Sequence, residues 1–258
     1  MVKVIMHGCK GHMGRMITEI IEEDPEIEIV AGVDRCTEPE DSYPVFTDIR
    51  DCHVDADVII DFANASAEDA LLDYCVAEQI PLVLCTTGLS QAQLDHVREA
   101  EKEVAVLRSA NMSLGINTLI DLLHRASDVF CRAGFDVEIV EKHHNRKLDA
   151  PSGTAIALAD AVNESQENSY HYVYDRSQQR RARDPKEIGI SSVRGGNIVG
   201  EHEVIFAGMD ELISFRHTAY SRAVFGKGAV EAAKFLAGKR AGHYDMADVI
   251  AAGSSSQL

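Results

Sequence analysis

Between Glu141 and Thr154 the chain reads Glu-Lys-His-His-Asn-Arg-Lys-Leu-Asp-Ala-Pro-Ser-Gly-Thr, a stretch that gathers proton donors, cations and a helix start. His143 and His144 are adjacent, Lys147 follows His143 by four residues, and Asp149 precedes the turn Pro151-Ser152-Gly153-Thr154. Imidazole and ammonium groups deliver or take a proton near neutral pH when their surroundings tune them. Like charge from the two histidines is one such influence on Lys147. The Ser-Gly-Thr turn stands ahead of the apolar run Ala155–Ala159 and predicts a helix N-terminus, where unpaired amides point at an anion. Pro151 suits such an entry because its ring fixes φ and it lacks a donor that the first turn leaves unpaired. The chemistry indicated is proton transfer to or from an anionic small molecule. Two blander readings stand beside it: a solvated charged loop, which suits Lys142 and Arg146, and plain helix capping by Ser152. A metal site fits less well, because paired ligands on a helix face sit at i and i+4 and no third His or Cys is near in sequence. Arg194-Gly195-Gly196 reads as a turn.

A second cluster is Gly8-Cys9-Lys10-Gly11-His12-Met13-Gly14. Glycines let the backbone turn sharply and let a pyrophosphate approach the amides, and a helix N-terminus adds partial positive charge. The spacing is a weak signal alone, and its placement strengthens it. The loop follows the apolar run Val2–Met6, opens a helical pattern, and is followed about twenty residues later by Asp34. An acidic side chain there accepts hydrogen bonds from an adenosine ribose, whereas Arg35 beside it could pair with a 2′-phosphate. Further along, Thr86-Thr87-Gly88 and Asn111-Met112-Ser113 each close a strand pattern, at the sheet end where open α/β folds bind ligands. Each of these residues reads equally well as a local cap or Asx turn. Cys85 could be offered as a nucleophile, but no base is placed beside it by sequence, and a buried strand-end thiol is the preferred reading.

These clusters need elements to hold them. Apolar runs at Val2–Met6, Ile27–Val33, Ala56–Phe62, Pro81–Cys85 and Val104–Leu107 predict strands. Helical patterns alternate with them, and Met13, Met16, Ile17, Ile20 and Ile21 form one apolar stripe. Ser90 and Gln93 predict a capping box. Such alternation calls for a Rossmann-type doubly wound parallel sheet. After about residue 112 the pattern changes to a long helix, Leu114–Phe130, then the strand Asp136–Val140, then strands with few helices between them. This predicts a second α+β domain on an open mixed sheet. The division expected is 1–113, completed by 222–258 through a returning helix at Ser221–Ala237, and 114–221. Asn163–Lys186 reads as a long Arg-rich loop, and the tail Gly253–Leu258 as frayed.

A net charge of −17 argues against nucleic acid and against an anionic membrane surface, because phosphate binding draws on a surplus of Lys and Arg. The six cysteines include no C-x-x-C pair and read as free buried thiols. The run from Met1 enters a strand directly, without a leader pattern or an apolar stretch able to span a bilayer, so a cytoplasmic location is expected.

Over nearly its whole length the chain resembles the 4-hydroxy-tetrahydrodipicolinate reductase (dihydrodipicolinate reductase) family. The resemblance rests on Gly8-x-x-Gly11-x-Met13-Gly14, Cys85-Thr-Thr-Gly88, Ala110-Asn-Met-Ser113 with Gly115 and Asn117, and above all Glu141–Thr154. It continues through Arg194-Gly-Gly196, Val199-Gly-Glu-His202, His217-x-Ala-x-Ser-Arg222 and Tyr244-Asp-Met-x-Asp-Val249. It implies hydride transfer from NADH or NADPH to an unsaturated heterocyclic dicarboxylate, giving tetrahydrodipicolinate in diaminopimelate and lysine synthesis. It implies an acid pair of His143 and Lys147, with Lys147 preferred as proton donor. It places substrate contacts at His144, Ser152, Gly153 and Thr154. The coenzyme contacts it implies are Gly8, Cys9, Lys10, Gly11, His12, Met13, Asp34, Arg35, Cys85, Thr86, Thr87, Gly88, Ser109, Ala110, Asn111 and Met112. It implies a homotetramer built through the second sheet, and the residue spacing leads to the expectation of no metal. Family members often carry a basic residue after the strand ending Asp61-Phe62; here the turn reads Ala63-Asn-Ala-Ser66, and Lys10 is the available substitute. The competing readings are another Rossmann-type dehydrogenase of a small oxo acid or semialdehyde, and a dinucleotide sensor without activity.

Overall fold

The computed structural model describes residues 1–37, 42–178 and 180–255. The chain divides into two compact units: Met1–Ser113 with Ala223–Leu258, and Leu114–Arg222.

The first unit is built on strands β1 (Val2–His7), β2 (Ile27–Val33), β3 (Val45–Phe46), β4 (Val58–Asp61), β5 (Leu82–Leu84) and β6 (Ala105–Arg108). Helices α1 (His12–Glu22), α2 (Glu68–Glu78) and α3 (Gln91–Ala100) alternate with them. A C-terminal strand, β12 (Gly242–Tyr244), completes a seven-stranded sheet of order β12-β6-β5-β4-β1-β2-β3. Every strand pair is parallel. Val4, Ile5, Met6 and Val58, Ile59, Ile60 are fully buried, as expected of central strands covered by helices on both faces. The predicted capping box is present, with Ser90 Oγ accepting from the Gln93 amide and Gln93 returning the bond. The chain order reverses between β1 and β4, so the carboxyl ends of these two strands flank the ligand crevice of such a sheet. Helix α6 (Ala223–Leu236) packs on α1 and across β4, β5 and β6. It lies flush there because Gly228 has no Cβ, which would collide with the Met112 carbonyl.

The second unit starts with α4 (Leu114–Phe130) and carries the sheet β11-β10-β7-β9-β8. Its strands are β7 (Asp136–His143), β8 (His171–Val173), β9 (Glu187–Arg194), β10 (Gly200–Ala207) and β11 (Leu212–Ala219). β10 is antiparallel to β7 and β11, while β7 and β8 are parallel to β9. The sheet is therefore mixed. Helices α4 and α5 (Gly153–Glu164) pack together beside it over a core of Leu123, Leu158, Val162, Ile139, Ile190 and Phe206.

Three expectations need correction. Asn163–Lys186 is not one loop: it holds β8, and Arg176 and Arg183 bind Glu138 through bidentate and single ion pairs. A three-residue strand shows no periodicity in an Arg-rich segment, so it was invisible in sequence. The tail is helical through Ser255 in α7 (Met246–Ser255), and the rest of it lies outside the described residues. Of the cysteines, Cys36 is exposed and Cys85 half-buried, while Cys9, Cys52, Cys75 and Cys131 are buried. Among the described residues no helix is long and apolar enough to cross a membrane.

Candidate active site

In the first unit the glycine loop leaves β1 with Gly8 at φ +82°, a left-handed conformation that favours glycine. A side chain there would also press on the Phe62 carbonyl at 2.5 Å, and one on Gly14 would strike Gly8 and Cys9. Gly8 and Gly14 are thus fixed by close packing between the β1–α1 turn, the β4 end and the first turn of α1. The Gly8 amide is held by the Val33 carbonyl at 2.8 Å, and the Gly11 amide by Gly8 at 3.1 Å. Gly11 is the N-cap of α1 without a side-chain cap, and His12 and Met13 are its first helical residues. The uncapped first turn fits a phosphate. Cys9 is buried, its sulfur closing over Gly32 together with the Tyr43 ring.

Asp34 follows β2, and its Oδ2 accepts from the Lys10 amide at 2.9 Å, which ties the end of β2 to the glycine loop. Beside them lies a cavity of about 410 Å³ that reaches Gly8, Gly11, Asp34, Arg35 and Arg50. Arg35 bonds the Ser66 hydroxyl at 3.4 Å. The structure thus brings the glycine loop, Asp34 and Arg35 around one cavity. Thr86 follows β5 and accepts the Ala63 amide at 3.0 Å, and Gly88 sits at φ +79°. Thr87 is exposed. Ser109, Ala110, Asn111 and Met112 form the segment after β6, where Asn111 accepts from the Ser113 amide in an Asx turn and Met112 is buried. Burial, reinforced by Asp61, pushes the Cys85 thiol well up, so it is a poor nucleophile.

Sequence reasoning missed the acidic cluster beneath this crevice. Asp61 ends β4 fully buried, and its Oδ1 meets His7 Nδ1 at 2.6 Å and accepts the Ala63 amide at 3.1 Å. Glu68, at the start of α2, is 1% exposed. Burial first and the Asp61 charge second push its carboxyl up to about 8. His7 and Asp61 are register partners on β1 and β4, a coincidence that only the strand pairing reveals.

In the second unit the chemistry gathers where β7 ends. His143 is its last residue and is 8% exposed. The following turn is pinned to the β9–β10 connection: Gly195 donates to the His143 carbonyl at 2.9 Å and Asn145 to the Gly196 carbonyl at 3.2 Å. Lys147 donates its amide to the His144 carbonyl, and its Nζ meets Asp149 Oδ1 at 2.9 Å. The partner of Lys147 is thus a carboxylate, which Lys147 in turn holds below its ordinary range. Burial, helped by Arg146 and Arg222, lowers His144. Lys142 points to Glu201 at 3.1 Å and Arg146 to Asn197 at 3.3 Å, so both have specific partners.

Ser152 is the N-cap of α5, its Oγ accepting from the Ala155 amide at 3.1 Å. Gly153 is the first helical residue, with open space where a side chain would stand, and Thr154 follows. Pro151 precedes the cap rather than opening the helix, because Ser152 takes the cap position. The expected first-turn role of Pro151 is therefore not realised. Arg194 is the last residue of β9, not part of a free turn. It grips the Glu141 carboxylate at 2.7 Å through both terminal nitrogens. The same Glu141 accepts from the Ser152 amide at 3.1 Å and meets His143 Nδ1 at 2.6 Å. Glu141 is fully buried, which alone would raise its carboxyl; hydrogen bonds from Arg194, His143, Ser192 and Ser152 instead bring it to about 2. His202 shares a bond with Ser152 Oγ at 3.0 Å and packs edge-on to His143, ring centroids 5.1 Å apart. Burial, then the proximity of His143, lowers it to about 4.

Residues 2–112 match the family model for the dihydrodipicolinate reductase N-terminus, and residues 115–250 that for the dihydrodipicolinate reductase C-terminus. The chain belongs to the dihydrodipicolinate reductase family. It is 51% identical over 253 residues to the 4-hydroxy-tetrahydrodipicolinate reductase of Caldanaerobacter subterraneus subsp. tengcongensis, covering 98% of this chain and all of the relative. The Clostridium tetani reductase is 46% identical over 246 residues, covering 95% of this chain and 96% of that one. Among solved structures, a dipicolinate-bound dihydrodipicolinate reductase from Paenisporosarcina sp. TG-14 has the same fold, with a TM-score of 0.81 at 23% identity over 96% of this chain and 99% of that one. A diaminopimelate dehydrogenase from Corynebacterium glutamicum is a more distant fold relative, with a TM-score of 0.55 at 14% identity over 96% and 93% of the two chains. Family membership makes the chain an oxidoreductase that uses NADH or NADPH, at the reduction step of the diaminopimelate and lysine pathway.

Proposed function

We propose that the chain reduces 4-hydroxy-tetrahydrodipicolinate to tetrahydrodipicolinate, the first unit holding the coenzyme and the second the dicarboxylate and the proton donor. The observation that carries the second half is the convergence of His143, Lys147 and the α5 N-terminus at the end of one strand. The coenzyme fits the first unit on its own geometry: Gly8 at positive φ, the uncapped start of α1, and Asp34 and Arg35 on one cavity. Gly8 to Met13 would cradle the pyrophosphate, Asp34 or Arg35 the adenosine ribose or its 2′-phosphate, and Cys85 to Gly88 with Ser109 to Met112 the remaining half. When bound, NADH or NADPH supplies the hydride.

Reduction of a conjugated imine leaves an electron-rich carbon that must gain a proton. Lys147 is assigned as the donor, oriented by Asp149. His143 assists it or holds a substrate carboxylate. The amides of Gly153 and Thr154, the Ser152 cap and His144 receive the other carboxylate, where the helix terminus contributes its positive end. A homotetramer through the second sheet accords with the exposed Tyr174, Val193 and Leu212 on its strands and connections. A cytoplasmic location accords with Cys36, exposed and unbridged. A semialdehyde-type dehydrogenase is disfavoured by Cys85, whose thiol is pushed away from the reactive range.

The test is oxidation of NADH and NADPH by pure protein given freshly generated 4-hydroxy-tetrahydrodipicolinate. Consumption of at least one coenzyme is expected. Failure with both would refute the assignment.

A further inference from the structure

The inward face of β7 changes character along its length. Val137 and Ile139 lie in rows with Ile188 and Phe206, then Ile190 and Val204, all buried. The next row is Glu141 with Ser192 and His202, and the last pairs His143 with Arg194. A strand that is apolar for two rows thus buries a carboxylate at the third. An isolated carboxylate removed from water is strongly disfavoured unless cations and hydrogen-bond donors compensate it. Arg194 offsets that cost, but two of the partners of Glu141 belong to the site: His143 Nδ1 and the amide of the α5 cap.

We propose that Glu141 is a positioning residue for the reduction, fixing the tautomer and ring orientation of His143 so that Nε2 faces the ligand. The inference rests on the reading that His143 serves the reaction. An ionised carboxylate only accepts hydrogen bonds, so with Glu141 held in that form Nδ1 must be the donor. The remaining ring nitrogen, Nε2, is then the one free to meet substrate. A second, independent observation sets where Nε2 has room. Gly200 on β10 stands beside it, and a Cβ there would come to 3.1 Å of Nε2. Gly200 does not have positive φ, so backbone freedom does not explain the glycine, and space does. Arg194 acts one step further back: its two-pronged grip keeps Glu141 ionised and immobile. His202, lowered by burial, packs edge-on against the ring. The arrangement has the logic of any acid–base histidine whose far nitrogen is anchored by a buried carboxylate.

The experiment is a double-mutant cycle with Glu141→Gln and His143→Gln in the full-length enzyme, following turnover, coenzyme affinity and the ¹⁵N shifts of the His143 ring. Glu141→Gln alone is expected to lower kcat roughly 10–100-fold with coenzyme affinity unchanged, and to shift the His143 Nδ1 resonance. In the His143→Gln background it should cost almost nothing more, because its target is gone. A full, additive loss in that background would overturn the proposal and leave Glu141 as scaffold. Should Glu141→Gln fail to fold, Arg194→Lys takes its place in the same cycle, with the same two outcomes. Wild-type turnover in His143→Gln alone would instead sink the underlying reading of His143, which separates the two failures.

Discussion

Replacing Glu68 by glutamine should make the protein more stable, and increasingly so as the pH rises. The ordinary value for such a carboxyl is 4.5, and the folded protein raises it to about 8 by burial and by the Asp61 charge. Below the lower value both folded and unfolded chains carry the proton, and nothing is lost. Between the two values the unfolded chain ionises while the folded one must keep its proton, so folding grows less favourable by about 1.4 kcal/mol per pH unit. From pH 5 to pH 8 the integrated loss is on the order of 3 kcal/mol, with little solvent discount because Glu68 is 1% exposed. For a chain of this size that corresponds to roughly 10 °C in Tm. Glutamine has nearly the same shape and cannot ionise, so it removes this pH-dependent cost. Thermal melts of both proteins at pH 5, 6, 7 and 8 give the difference directly, and the common pH dependence of all other groups cancels. A gap that widens toward pH 8 is expected. A gap that is constant, or that narrows with rising pH, would refute the argument that Glu68 is buried in its neutral form.

Lys147→Ala should lower turnover by a factor on the order of 10² or more with coenzyme affinity nearly unchanged, and steady-state kinetics with unimpaired turnover would remove Lys147 from the acid role. Asp34→Ala should weaken NADH more than NADPH, because Asp34 shares the cavity with Arg35; equal losses by calorimetry would make it a structural tie to Lys10 only. Ser152→Ala should cost about 1 kcal/mol from the α5 cap and raise KM for the dicarboxylate more than KM for coenzyme, read from paired saturation curves. A fall in stability without any change in KM would mark Ser152 as a cap alone.

The parallel sheet was legible because its central strands are continuous apolar runs, buried on both faces and punctuated by glycine. β3 and β12 were not, since strands of two and three residues carry no period to read. The chemistry-bearing segment was legible at its loop residues, where types and spacing speak for themselves. Its support was less so. Glu141 and His143 share the parity of Val137 and Ile139, so the sequence did hold a signal that two polar groups face inward. Arg194 and His202 lie far along the chain, and only strand register shows that they meet Glu141. The His7–Asp61 contact depends on pairing between β1 and β4 in the same way.

The sheet of the first unit is closed at one edge by β12, a strand that the chain supplies only after all of the second unit has been made. During synthesis β6 must therefore wait with an open edge, while residues 114–222, contiguous in sequence, have every strand they need. Translation order and assembly order diverge: the part encoded in the middle can finish first, and the part encoded first finishes last. A nonsense change just after Arg222 would spare the inserted unit yet strip α6 and β12 from the other, leaving a bare strand rim prone to self-association.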